Sequence, residues 1–204
     1  MRWLQLYLRS RRVPLALTTA TALIAVAWAL SLAYTDATTI NTRTVSLVIM
    51  LAVVAAGTTL GGADDSLDHT AAVNWPLRRA GHLLLAVATI AALLALSTVS
   101  DARFEPFALV LRNITGLLGL TALGAALFGA ALSWISPLTW TLVAVMPFVG
   151  PSRDLRMQVA GWLVQPVGTT AATVCAVTLA VAGLLVYGLR GCPLRPASET
   201  GPDR

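Results

Sequence analysis

Three aspartates that lie close together in the chain are its clearest candidates for chemistry. Asp64, Asp65 and Asp68 follow the pattern DDxxD, and His69 comes directly after them. Carboxylates one helical turn apart can hold Mg²⁺ jointly against a pyrophosphate, because magnesium prefers oxygen ligands and phosphate oxygens complete its coordination. A later pair of arginines could contact the same phosphate. The spacing is therefore compatible with a metal-dependent reaction at a diphosphate group.

The DDxxD string resembles the magnesium-diphosphate motif of prenyltransferases, but those membrane enzymes carry a second acidic motif that this sequence lacks. His69 and His82 are separated by Pro76, which favours two polar residues near lipid headgroups over a metal or haem pair. The sequence has no P-loop and no G-x-S-x-G elbow. We expect no catalytic residue, no metal site and no cofactor in this chain. A Mg-dependent prenyltransferase-like enzyme using the three aspartates is the third hypothesis.

The same aspartates belong to a polar segment, residues 63–82, inside a mostly apolar chain. The segment contains three of the nine acidic residues and both histidines, whereas the whole chain is 57% hydrophobic and 11% charged. Soluble domains have about 25% charged residues. The uncharged runs reach the roughly 20 residues that a helix needs to cross a bilayer, and they are apolar on every side. The polar segment is therefore expected to contact something in water.

The sequence predicts an all-α polytopic membrane protein with six transmembrane helices and both termini in the cytoplasm. An interfacial helix at 1–12 precedes the first span, and a disordered tail occupies 190–204. The two terminal segments and the polar segment contain nine of the fourteen arginines, which favours a cytoplasmic position for them. Residues 157–165 are too short to cross and are expected at the membrane surface, anchored by Trp162. The spans are predicted at 14–34, 44–62, 83–100, 109–132, 137–151 and 167–189.

Small residues predict where these helices pack closely. Gly57 and Gly61 form a GxxxG pattern at the end of the second span. Gly116, Gly119, Gly124 and Gly129 make the fourth helix thin on one side. Glycines at such spacings let neighbouring backbones approach each other in lipid. We therefore expect Gly57, Gly61, Gly116 and Gly124 to lie at helix contacts.

The polar segment also has a mechanical interpretation. Residues 65–73 can form a short amphipathic helix with Ser66 as its N-cap, and Trp75 and Pro76 end it. A surface helix held between two spans can pass force from a soluble partner to the membrane helices. The alternative is an ordinary cytoplasmic loop flanked by arginines.

Two stretches of the sequence resemble a known family. The string YLRSRRVPLAL near the start and the string SLDHTAAVNWPLRRAGHLL in the polar segment are similar to the permease (membrane-spanning) subunits of actinobacterial type-2 ABC transporters. The resemblance covers the six-span architecture and implies that the polar segment, 63–82, is a coupling loop that docks on an ATPase. The coupling residues would be Asp65, Leu67, Asp68, His69, Thr70, Trp75, Arg78 and Arg79.

The resemblance also implies a function. The chain would be the permease subunit of an ABC exporter in the bacterial cytoplasmic membrane, moving an amphipathic, peptide- or lipid-like substrate. It would pair with a P-loop ATPase subunit, which carries the ATP and Mg²⁺, and with a second copy of itself or a sister permease. Membrane lipid is an expected partner and nucleic acid is not, because the arginines lie at predicted helix ends. The alternative is a non-transporting membrane scaffold or immunity protein.

Overall fold

Seven α-helices and one two-stranded sheet make up the part of the chain that the computed structural model describes, residues 13–34, 39–61, 75–96, 103–104 and 106–193. Short 3-10 turns follow α4 and α6. In chain order the elements are α1 (Val13–Tyr34), β1 (Thr39–Ile40), α2 (Thr42–Gly57), α3 (Trp75–Ala95), β2 (Arg103–Phe104), α4 (Phe107–Phe128), α5 (Ile135–Ala144), α6 (Leu155–Ala160) and α7 (Thr170–Arg190).

Local side-chain chemistry determines where several helices begin and end. The Asn41 side chain caps α2, and the Asp154 side chain caps α6, each by accepting a backbone N–H two residues later. Pro76 lies in the first turn of α3, where its missing N–H costs no helical hydrogen bond. α4 and α7 end at Gly129 (φ 86°) and Gly191 (φ 70°), a backbone conformation that favours glycine.

Four helices are long and apolar enough to cross a membrane, which indicates a membrane protein. α1, α3, α4 and α7 have 21 or 22 residues and a mean hydropathy of 1.5 to 2.1. At 1.5 Å per residue they are about 32 Å long, against a hydrocarbon core of about 30 Å. α2 and α5 are also apolar but have only 16 and 10 residues, so they are shorter than the spans predicted at 44–62 and 137–151.

The outward faces of the long helices suit a lipid environment. They expose large apolar side chains such as Leu17, Leu84 and Val177. Serine and threonine hydroxyls on the helices donate to carbonyls three or four residues earlier, which removes their donors from contact with lipid. The bonds from Thr18, Ser31, Thr89, Thr139 and Thr173 follow this pattern.

The centre of the bundle is α4. About 72% of its most apolar window is buried, against 17% for α1. α4 packs most extensively against α7 and also contacts α2, α3 and α5, whereas α1 packs mainly against α2. α2 and α4 therefore form the interior, and α1 lies at the periphery.

The connections between helices gather at two ends of the bundle. At the strand end, β1 pairs in parallel with β2, with Thr39 opposite Arg103 and Ile40 opposite Phe104. The opposite end, which we call the polar-segment end, contains the last turn of α2, the first turn of α3 and the end of α7. Residues 62–74, which connect α2 to α3, lie outside the described residues.

Candidate functional site

The structure places three of the predicted coupling residues on a helix. Trp75, Arg78 and Arg79 form the first turn of α3, eight residues before the predicted start of the third span at 83. Arg78 is exposed, whereas Arg79 is only 6% exposed. The other predicted coupling residues and the first aspartate of the DDxxD string lie outside the described residues: Asp64, Asp65, Leu67, Asp68, His69 and Thr70.

The chain leaves α2 toward the polar segment through a turn that is bonded to α3. Thr59 Oγ1 lies 2.7 Å from His82 Nε2, and both residues are buried. The same hydroxyl donates to the Ala56 carbonyl at 2.6 Å. Because a hydroxyl has one proton, His82 Nε2–H is the donor to Thr59 Oγ1. This bond joins the entry to the polar segment to the second turn of α3.

The next residue of that turn is bonded to the end of α7. The Tyr187 hydroxyl donates to the Leu60 carbonyl at 2.6 Å, and both residues are at least 98% buried. The Cys192 thiol also approaches this carbonyl, at 3.8 Å. A buried carbonyl outside regular helix needs a donor, and Tyr187 supplies it from a different helix.

The chain re-enters the bundle at α3 and packs on the same end of α7. The Arg79 guanidinium covers Gly191, where an added Cβ would overlap it, and its carbon lies 5.9 Å from the centre of the Trp75 ring. A Cβ at Gly188 would lie 3.8 Å from the Pro76 carbonyl oxygen. Both ends of the polar segment are therefore held on the carboxyl end of α7, and we call these contacts the root cluster.

We expect Tyr187→Phe to loosen the root cluster measurably. The change keeps the ring but removes the only proton that Tyr187 donates to the Leu60 carbonyl. Loss of such a bond should cost about 1–2 kcal/mol of unfolding free energy, because the buried Leu60 carbonyl loses a short O–H donor while the Cys192 thiol is a weaker one. The measurement is unfolding of the purified protein in mixed micelles with increasing denaturant. Tyr34→Phe is the matched control, since Tyr34 is 84% exposed; equal effects of the two changes would contradict the assignment.

A second polar cluster lies at the strand end and was not identified as a site from the sequence. Arg112, on α4, is only 8% exposed, and its guanidinium donates to the carbonyls of Gln165 at 2.8 Å and Pro166 at 3.2 Å. Its Nε donates to Asn113 Oδ1 at 3.3 Å. The guanidinium is thus used to satisfy backbone between α6 and α7.

Asn113 and Gln165 extend this cluster across three parts of the fold. Asn113 Nδ2 donates to the Leu163 carbonyl at 2.8 Å and contacts Ser46 Oγ of α2 at 3.4 Å. Gln165 Nε2 donates to the Gly150 carbonyl at 2.8 Å. We call Arg112, Asn113, Ser46 and Gln165 the polar clasp.

The polar clasp holds the segment between α5 and α7 inside the bundle. Trp162 is fully buried, so the expectation that it anchors the segment at the membrane surface is wrong. Its ring fills the space beside Gly116, the tenth residue of α4, roughly 14 Å along the helix from the first residue. Irregular backbone inside a bundle of apolar helices is tolerated where protein surrounds it and satisfies its carbonyls. The clasp residues supply those donors.

The two glycines predicted to pack at the end of α2 lie against α4 and the α4–α5 connection. A Cβ at Gly57 would lie 2.9 Å from Thr121 Cγ2, and a Cβ at Gly61 would lie 2.8 Å from Ala130 Cβ. Both distances are shorter than the van der Waals contact of carbon atoms, about 3.5–4.0 Å. These positions therefore have no room for a larger residue unless their neighbours move.

The two glycines predicted to pack on α4 face different neighbours. A Cβ at Gly116 would overlap the Trp162 ring and lie 3.1 Å from Ala176 Cβ of α7. A Cβ at Gly124 would lie 3.1 Å from the Ser133 carbonyl oxygen, which precedes α5. The closest helix approach involves a different pair, Gly119 and Gly183, which brings the backbones of α4 and α7 into contact.

Within the described ranges, no three side chains of His, Cys, Asp or Glu come together as metal ligands would. No protein-family model matches the chain. No curated protein and no solved structure matches it either. Function therefore has to be inferred from what the root cluster and the polar clasp can do in a membrane.

Proposed function

We propose that the chain is the membrane-spanning permease subunit of an ABC transporter, driven by a separate ATPase that docks on the polar segment. In this proposal the chain crosses a bacterial cytoplasmic membrane six times, with α2 and α5 as the two short passes. Both termini and the polar segment are cytoplasmic, as the distribution of arginines favours. The support comes from the resemblance of the sequence and from the root cluster.

The observation that carries the proposal is the attachment of both ends of the polar segment to the same three helices. Leu60 is bonded to α7, Thr59 is bonded to α3, and Arg79 packs on the end of α7. These contacts are buried and their hydrogen bonds are short. A force applied to residues 62–74 by a partner would therefore move α2, α3 and α7 together. A coupling element needs this property, whereas an ordinary connecting loop does not.

The exposure of the arginines separates two roles within the predicted coupling residues. Arg78 is exposed on the first turn of α3, so it is available to an acidic surface of an ATPase. Arg79 is buried in the root cluster and is available to hold the helix end instead. In the proposal, Arg78 therefore contacts the partner and Arg79 transmits the load.

The substrate path is proposed to lie between two permease chains rather than inside one. The described interior is closely packed, and the donors of Arg112 and Asn113 are bonded to backbone carbonyls. The outer faces of the long helices are apolar, with exposed residues such as Leu17 and Val177. A path formed by such faces suits an amphipathic or lipid-like substrate better than a small ion.

The proposal is tested by isolating the tagged chain from its native host in a mild detergent and measuring the ATPase that accompanies it. We expect a P-loop ATPase in a fixed ratio with the wild-type chain. Arg78→Glu should lower the amount recovered about tenfold, because it places a negative charge against an acidic docking surface. Arg153→Glu is the matched control, since Arg153 is exposed at the strand end. Equal losses from both variants would reject the polar segment as the docking site.

A non-transporting membrane scaffold is the second candidate, and the closely packed interior of the described residues favours it. It predicts that another membrane protein accompanies the wild-type chain and that no ATPase does. It also predicts that Arg78→Glu leaves the recovered partner unchanged, since binding would use the helical faces. The same purification therefore distinguishes the two candidates.

A further inference from the structure

We propose that Arg79 and Trp75 bind the phosphate of an anionic phospholipid whose acyl chain lies in an apolar groove between α3, α4 and α7. The inference is independent of the proposed transport function, because it requires neither an ATPase nor a substrate. It follows from two side chains whose donors have no hydrogen-bond partner among the described residues, and from their position above the groove.

The donors are the Arg79 guanidinium and the Trp75 indole N–H. Arg79 is only 6% exposed, and its guanidinium makes no hydrogen bond or ion pair with another described residue; its contacts there are the Trp75 ring and Gly191. The Trp75 Nε1 atom is buried and has no partner there either. Burying a charge or a polar N–H costs free energy unless an acceptor compensates it. An anion at this position would satisfy both groups at once.

The chemistry of the two side chains favours a phosphate. A guanidinium presents five N–H donors in a planar fork that matches two phosphate oxygens. Tryptophan is enriched at the level of lipid headgroups, where its ring is in apolar surroundings and its N–H can reach a polar group. Trp75 and Arg79 lie at the end of a spanning-length helix, where headgroups are expected.

The groove begins one helical turn below Arg79. Its volume is about 140 Å³, and apolar side chains of three helices line it. Thr115 also lines it, but its hydroxyl donates to carbonyls of its own helix, which leaves the surface apolar. Other lining residues are Leu83, Val87, Gly119, Val181 and Leu184.

The helical register places the donors directly above the groove. Leu83 and Val87 follow Arg79 by four and eight residues, so the three share one face of α3. On α7, Leu184 precedes Gly191 by seven residues and lies on the face that Arg79 covers. Val87 is about 12 Å along α3 from Arg79, and half the hydrocarbon core is about 15 Å. The lower end of the groove therefore lies within the half of the hydrocarbon core that an acyl chain of the leaflet at the polar-segment end would occupy.

A phospholipid would use both the donors of Arg79 and Trp75 and the apolar groove. A soluble anion or an acidic side chain of a protein would use only the donors. Basic sites between spanning helices with apolar walls below them are a recognised arrangement for anionic lipid headgroups. Two lipids that differ only in headgroup charge distinguish binding through the donors from binding through the groove.

The experiment measures binding of phosphatidylglycerol and phosphatidylcholine with identical acyl chains to the full-length chain by native mass spectrometry. We expect the wild type to prefer phosphatidylglycerol roughly fivefold to tenfold. Arg79→Gln should abolish the preference, and Arg79→Lys should retain part of it. Val181→Phe should lower binding of both lipids equally, because it fills the groove.

Two matched controls should behave like the wild type. Val177→Phe adds the same ring one turn away on the exposed face of α7, outside the groove. Arg156→Gln removes an exposed arginine near the strand end. If Arg79→Gln does not fold, the comparison of Val181→Phe with Val177→Phe still decides whether the groove is the site.

Four results would overturn the proposal. The first is equal binding of the two lipids to the wild type. The second is an unchanged preference in Arg79→Gln together with equal behaviour of Val181→Phe and Val177→Phe. The third is protection of the protein against thermal unfolding by inorganic phosphate to the same extent as by phosphatidylglycerol, which would identify a phosphate site without a lipid. Displacement of the lipid by a co-purifying soluble partner would assign Arg79 to that partner instead.

Discussion

Gly183→Ala is expected to destabilise the protein strongly, although it adds one methyl group. A Cβ at this position would lie 2.7 Å from Gly119 Cα and closer still to the Gly119 carbonyl oxygen. These atoms belong to the backbone of α4, so no side-chain rotation can make room. α4 and α7 would have to separate, and they form the most extensive helix contact of the fold. We expect a loss of about 3 kcal/mol of unfolding free energy or failure to assemble.

The matched control for this prediction is Gly81→Ala, on α3. A Cβ at Gly81 meets nothing within 4 Å, and the residue is exposed. Because alanine favours the helix more than glycine does, the control should be neutral or more stable by up to about 1 kcal/mol. The measurement is denaturant unfolding in mixed micelles, with the yield of monodisperse protein as a second readout. Equal effects of the two alanines would show that α4 and α7 do not approach as closely as described.

The glycines illustrate what the sequence alone could predict about packing. Spacing marks α4 as a thin helix, and Gly57, Gly61, Gly116 and Gly124 do lie at close approaches. Spacing could not select Gly119 and Gly183 as the tightest pair, because that depends on where two distant helices cross. A pattern within one helix carries no information about the register of its partner.

The sequence could predict helices and their approximate positions, because a long uncharged run that is apolar on every side crosses lipid as a helix. The observed α1 and α7 differ from the predicted spans at 14–34 and 167–189 by only a few residues. α5 ends at Ala144, three residues before Pro147, so it stops well short of the end predicted at 151. Composition indicates a membrane protein, whereas the length of each helix depends on local residues that end it.

The two polar clusters were harder to predict for a different reason. In the sequence, Arg112 and Asn113 are a charged and a polar residue at the start of a span, and Tyr187 is an aromatic residue near a helix end. None of these positions is unusual for a membrane helix. Arg112 donates to backbone carbonyls at least 53 positions away in the chain. Tyr187 donates to a carbonyl 127 positions away. No residue type marks a carbonyl as an acceptor, so such bonds appear only in three dimensions. A useful signal is an arginine followed by asparagine inside an apolar run.

Replacement of Arg112 by methionine is expected to release the segment between α5 and α7. Methionine keeps much of the apolar stem but removes the donors to the carbonyls of Gln165 and Pro166. The Gln165 carbonyl would remain buried without this donor, which costs about 1–3 kcal/mol, whereas the Pro166 carbonyl is only partly buried and adds less. We therefore expect a loss of about 3 kcal/mol of unfolding free energy, concentrated at the strand end.

The local nature of this effect separates it from general destabilisation. Arg112→Met should increase hydrogen exchange and proteolytic cleavage at residues 150–169 before the whole protein unfolds, because the polar clasp holds that segment to α4 and α2. The root cluster at the other end should keep the protection of the wild type. Arg156→Met is the matched control, since Arg156 is exposed and should change stability by less than about 0.5 kcal/mol. Uniform loss of protection at both ends would instead mean that Arg112 supports the bundle as a whole. A wild-type pattern of exchange would mean that water satisfies the carbonyls of the polar clasp.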